Sequence, residues 1–166
     1  MRVIAAFLIT LAASPVASAH ITLEATSTVP GSYAKVALRV THGCEGSSTT
    51  SIEVHVPEGF RFAKGQAKPG WTIAYEQAKL TTPVQLHGRS LSETTAVIRW
   101  TGGLLLNDQF DEFTLLGQLS QTASGSMTFR VLQSCENGAT DWSGPPSSKT
   151  PAPILKVTPV ASPSKR

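Results

Sequence analysis

The sequence predicts an all-β fold, an antiparallel β-sandwich of short strands, on three observations. Apolar and polar residues alternate along most segments, the period of a strand with one buried face. Gly and Pro supply 13 and 11 of the 166 residues, punctuation that suits short strands better than long helices. No window sustains a 3.6-residue repeat. Seven to nine short strands over about 130 residues match a sandwich better than any helical class.

The elements follow in order. Residues 20–25 are extended, and Pro30-Gly31-Ser32 turns the chain after them. Across 34–40, Val36, Leu38 and Val40 share one face, with Lys35 and Arg39 on the other. Residues 50–56 repeat the pattern: Ile52, Val54 and Val56 inward, Glu53 and His55 outward, with Pro57-Glu58-Gly59 closing the strand. Trp71, Ile73 and Tyr75, introduced by Lys68-Pro69-Gly70, form a third group. Further strands are expected at 84–87, 94–100, 112–117 and 127–132, and 154–157 adds one more. Each is bounded by Gly, Pro, Asn, Asp or Ser, the residues whose backbone preferences make turns. No internal repeat is visible.

The length of 166 residues suits one domain. Residues 1–19 read as a signal peptide: Arg2 gives a positive start, an apolar run follows, Pro15 breaks it, and Ala17-Ser18-Ala19 is a small-x-small cleavage signal. The run is too short for a permanent membrane anchor. Cleavage before His20 would leave a domain over 20–157 and a loose Pro/Ser/Lys tail over 158–166, placing the mature chain in the periplasm without a transmembrane anchor.

Hydrophobic residues make up 40% and charged residues 15%, which excludes a chain disordered throughout. A net charge of +3 without a basic stripe argues against nucleic-acid binding. Nucleophile-elbow and phosphate-cradling glycine motifs are absent, so the chain reads as a binding protein and not an enzyme. Cys44 and Cys135 are the two cysteines, and in an oxidising compartment an even pair reads as one disulfide. Closing so long a loop constrains the unfolded chain by up to about 4.6 kcal/mol in the loop-entropy account.

The residue exposed by cleavage, His20, carries the sharpest chemistry. A mature N-terminal histidine offers its α-amine and an imidazole nitrogen as one chelate. Free amines titrate near 8 and imidazoles near 6.5, so such groups deprotonate and ligate close to neutral pH. Nitrogen donors in a tetragonal arrangement favour Cu(II). Met1 and Met127 are the only methionines, too few for a thioether-rich Cu(I) site. Thr41-His42-Gly43-Cys44-Glu45-Gly46 places an imidazole and a carboxylate on a loop tethered by the disulfide, and Asp141-Trp142-Ser143-Gly144 follows Cys135. His55 and His87 read as plain surface histidines, and Asp108, Asp111 and Glu112 as a solvated acidic group near Phe110.

Taken in order, these residues resemble the YcnI-like copper-binding family of exported bacterial proteins. The matching pieces are Ala19-His20-Ile21-Thr22-Leu23, Arg39-Val40-Thr41-His42-Gly43-Cys44-Glu45-Gly46, Ile52-Glu53-Val54-His55-Val56-Pro57, Lys68-Pro69-Gly70-Trp71, Trp100-Thr101-Gly102-Gly103, Phe110-Asp111-Glu112-Phe113 and Asp141-Trp142-Ser143-Gly144. The resemblance implies an immunoglobulin-like or cupredoxin-like sandwich. It also implies Cu(II) held by the N-terminal histidine, a glutamate completing the site, and a tryptophan close behind. His20 and Trp142 match those positions directly. The glutamate corresponds to Glu45 through a small loop shift, or His42 takes its place.

The expected function is therefore periplasmic Cu(II) binding for sequestration or for delivery to a periplasmic or membrane copper-handling protein. Two rivals stand beside it. A metal-free exported sandwich would dock a partner through a sheet edge. An oxidative copper enzyme would use His20 and His42 as a two-histidine brace, but attack on polysaccharide calls for a broad aromatic platform, and Trp, Tyr and Phe number 3, 2 and 6.

Overall fold

The computed structural model describes residues 20–86 and 88–158. The proposed signal peptide, His87 and all of the tail but Thr158 lie outside them. Eleven strands follow one another among the described residues: β1 (Thr22–Ala25), β2 (Tyr33–Val40), β3 (Thr49–His55), β4 (Phe60–Gly65), β5 (Thr72–Leu86), β6 (Arg89–Leu105), β7 (Asp111–Leu119), β8 (Ser126–Thr128), β9 (Arg130–Cys135), β10 (Ala139–Trp142) and β11 (Ile154–Lys156). One sheet has the order β1-β2-β7-β4 and the other β10-β9-β3-β6-β5, with β11-β8 as a small ribbon. All strand pairs are antiparallel. No described helix is long and apolar enough to cross a membrane.

The alternation does what a period-two pattern must: it sends one set of side chains between the sheets. Val36, Leu38 and Val40 of β2 and Phe113 and Leu115 of β7 face Ile52 and Val54 of β3, Ile98 and Trp100 of β6 and Val131 of β9 in a single core. Trp71 and Trp100 pack edge-on against Phe113, with ring centroids 5.0 and 5.6 Å apart. Trp100 places its polar tip with a hydrogen bond from Nε1 to the Gln66 carbonyl, 3.2 Å.

Three departures from the expected elements have local causes. β4 was not expected, because its alternation is broken: the register with β7 shifts between Arg61 and Lys64, and Phe62 takes a φ of 54°. Phe60 and Ala63, three residues apart, are therefore both buried. The separate strands expected around Ile73 and at 84–87 are one long edge strand, β5, with an irregularity between Lys79 and Val84. Pro83 falls inside it, on an edge where a missing N–H is tolerated. The strand expected at 127–132 is split, with Phe129 donating its N–H to the Pro153 carbonyl between β8 and β9. Thr158 stays attached to the domain: its N–H bonds Thr28 O at 2.8 Å, and the two threonine hydroxyls also pair.

β1 closes one edge of the first sheet and β10 one edge of the second. Ile21, just before β1, and Trp142, the last residue of β10, are buried in the same core cluster. The residues just before β1 and the end of β10 come together where the domain begins, through the ring contact of His20 with Trp142.

Candidate metal centre

Three chain segments converge at that junction. Thr22 pairs with Arg39 across β1 and β2, and the same register continued outward sets His20 opposite Thr41, next to His42. Trp142 arrives from β10 opposite Val131 of β9. The His20 ring lies edge-on to the Trp142 indole at 6.2 Å between centroids, and the His42 ring does the same at 6.1 Å. Two imidazoles from separate segments thus flank one buried indole.

The loop that carries His42 is held at several points. Gly43 donates its N–H to Asn107 Oδ1, 3.1 Å. Cys44 and Ser47 exchange backbone hydrogen bonds of 3.1 and 2.9 Å, closing a tight turn in which Glu45 and Gly46 have φ values of 49° and 87°. Cys44 is bonded to Cys135 at the end of β9, as the cysteine pairing predicted. His42 Nδ1 lies 2.6 Å from the Gly43 carbonyl oxygen. A carbonyl only accepts, so Nδ1 carries a proton in this contact.

Beneath the loop lies a residue that sequence reasoning missed. Gln133 of β9 is fully buried. Its Nε2 donates to the His42 carbonyl (2.8 Å) and to Thr49 Oγ1 (2.7 Å), and its Oε1 accepts from Trp142 Nε1 (2.9 Å). The available signal was the period of two through Val131, Gln133 and Cys135, which puts the glutamine on the inward face.

The remaining candidates are placed differently. Glu45 is exposed at the tip of the Cys44–Ser47 turn. Among the described residues, no three His, Cys, Asp or Glu side chains gather into a metal-holding group. His20, His42 and Glu45 are thus not assembled as a ready triad, and a metal here would need the His20 α-amine or backbone nitrogen as well. Asp141, next to Trp142, is engaged elsewhere: Arg130 bonds both its oxygens, at 3.1 and 2.6 Å, and holds the carboxyl below its ordinary pKa. His55 is a partly exposed partner of Glu53, 2.8 Å away. Asp111 and Glu112 pair with Lys68 (2.5 Å) and Arg39 (2.8 Å), so two of the three acids read as solvated are tied into ion pairs.

The family described as "Domain of unknown function (DUF1775)" matches residues 20–157. A crystal structure of an uncharacterized protein from Nocardia farcinica, described as revealing an immunoglobulin-like fold, is similar with a TM-score of 0.66. It is 24% identical, over 84% of this chain and 99% of that one. The likeness shows an immunoglobulin-like sandwich here. No curated protein matches the chain.

Proposed function

The chain belongs to the DUF1775 family, and on that footing we propose that it is an exported protein that binds Cu(II) through its mature N-terminal histidine, for copper sequestration or delivery. The ion is cargo, not a catalytic centre. His20 supplies the α-amine and imidazole once the leader is removed, Trp142 lies behind them, and His42 or Glu45 completes the set. The observation that carries the reading is the placing of the His20 and His42 rings against one indole, at 6.2 and 6.1 Å. The contact of the His42 ring with the Trp142 indole makes it the better-supported third donor, and the exposed turn position of Glu45 makes it the weaker. Nitrogen donors suit Cu(II) over the harder divalent ions.

Replacing the two rivals singly separates them. His42→Ala should weaken Cu(II) binding at least tenfold and remove one nitrogen coupling from the copper EPR spectrum, with Glu45→Ala close to wild type. The reverse pattern would assign the third position to Glu45, and no copper bound by the wild type would end the reading.

A second reading, a metal-free docking module, is favoured by one observation. Leu104, near the end of β6, is 54% exposed, and Phe110, 69% exposed, stands in the connection to β7 with Leu106, next to Asn107, which anchors the His42 loop. Protein purified from the periplasm free of copper, with weak copper affinity, would support that reading instead.

A further inference from the structure

Gln133 uses both amide hydrogens and its carboxamide oxygen on two residues of the candidate site and on Thr49. Its orientation is determined by chemistry: the His42 carbonyl only accepts and the Trp142 indole N–H only donates, so Nε2 must face the first and Oε1 the second. Thr49 Oγ1 takes the remaining amide hydrogen. Trp142 is 3% exposed, so water cannot readily replace the amide as partner of the indole N–H.

Taking the copper reading above as given, we propose that Gln133 is a positioning residue for the copper site. One rigid carboxamide fixes the backbone that carries His42 and, at its other end, the indole against which both imidazoles lie. It never touches the ion. It sets how far apart the two histidines are held before the ion arrives, so less ordering remains to be done on binding. β9 is a suitable base, because the same strand carries Cys135, whose disulfide partner Cys44 is two residues beyond His42.

The test compares wild type, Gln133→Met, Gln133→Glu and Leu119→Ala. Methionine keeps the length and removes all three hydrogen bonds. Glutamate keeps the size and the acceptor for the indole, and leaves at most one hydrogen where the amide gave one each to the His42 carbonyl and Thr49 Oγ1. Leu119 is a buried core residue at the far end of β7 from the site, so its truncation reports plain destabilisation. Three quantities are read: Cu(II) affinity, the nitrogen couplings in copper EPR, and solvent exchange of the Trp142 indole N–H in metal-free protein.

Gln133→Met should bind Cu(II) at least tenfold more weakly, change the EPR couplings and exchange its indole N–H faster. Gln133→Glu should keep the indole protected and still change the couplings. Leu119→Ala should lower Tm and leave the couplings as they were. Wild type and Gln133→Met sharing one affinity and one spectrum would overturn the positioning role while leaving the copper reading standing. Wild type binding no copper would remove the copper reading itself, and the role with it. Should Gln133→Met not fold, Gln133→Glu decides: unchanged couplings there overturn the role.

Discussion

Gly43 shows how little room the site leaves at the scale of one residue. A Cβ built there would stand 1.6 Å from the Ser47 carbonyl oxygen, a backbone atom that cannot swing aside. Only glycine lets the chain pass this close between His42 and the turn that Cys44 and Ser47 close. Gly43→Ala should therefore cost about 1–3 kcal/mol, as overpacking does, and should weaken Cu(II) binding through the displaced His42. Urea unfolding with a copper titration checks both; an alanine variant of wild-type stability would mean that the turn does not sit as described. The sequence made His20, His42 and Trp142 legible because imidazole and indole are chemically conspicuous. Gln133 stayed hidden for the opposite reason: a glutamine has no chemistry of its own to betray it, and the strand expected at 127–132 stops one residue short of it.

At the scale of elements, β3 is fastened to its neighbours by charge as well as by the backbone ladder. Glu53 on β3 accepts from Arg99 Nε on β6 at 2.7 Å and pairs with His55 at 2.8 Å, while Arg99 also reaches Glu76 on β5. Burial works to raise the Glu53 pKa, but the hydrogen bonds from Arg99 and His55 outweigh it and hold the carboxyl below its usual value. A folded pKa below the unfolded one means that this stabilisation is complete above the ordinary carboxylate range and is lost as pH falls through the folded value. Glu53→Gln should lower stability by about 1–2 kcal/mol at pH 7, where a hydrogen-bonded charge is lost, and the gap should close as pH falls through the lowered folded pKa of Glu53. Denaturant unfolding at pH 7 and pH 3 measures it, and an equal deficit at both would show that the loss is not ionic. Strands with clean alternation, such as β2 and β3, were legible in the sequence. β4 was not, because its bulge puts Phe60 and Ala63 both inside, and β10 was not, because only Trp142 of its four residues is buried.

For the whole molecule, the disulfide does two things at once. It joins the loop leaving β2 of the first sheet to the end of β9 in the second, with a sequence separation of 91 residues. It also lies directly behind the His42 loop. Cys44→Ser combined with Cys135→Ser should cost about 2–4 kcal/mol in unfolding free energy and loosen the loop enough to weaken copper binding. A double variant that loses stability but titrates with copper like the wild type would separate the two effects. The sandwich class was legible from alternation and turn residues because both act locally. The meeting of His20 with Trp142 was not, since it depends on strand order, which local patterns do not encode.

The central claim, that a freed histidine amine and imidazole together grip Cu(II), is tested most directly by adding a single glycine ahead of His20 in the mature protein. The native form starting at His20 should bind one Cu(II), with EPR couplings from the amine and imidazole nitrogens. The glycine-extended form should lose at least tenfold in affinity and show a different spectrum. Identical titrations and spectra from the two forms would contradict the claim.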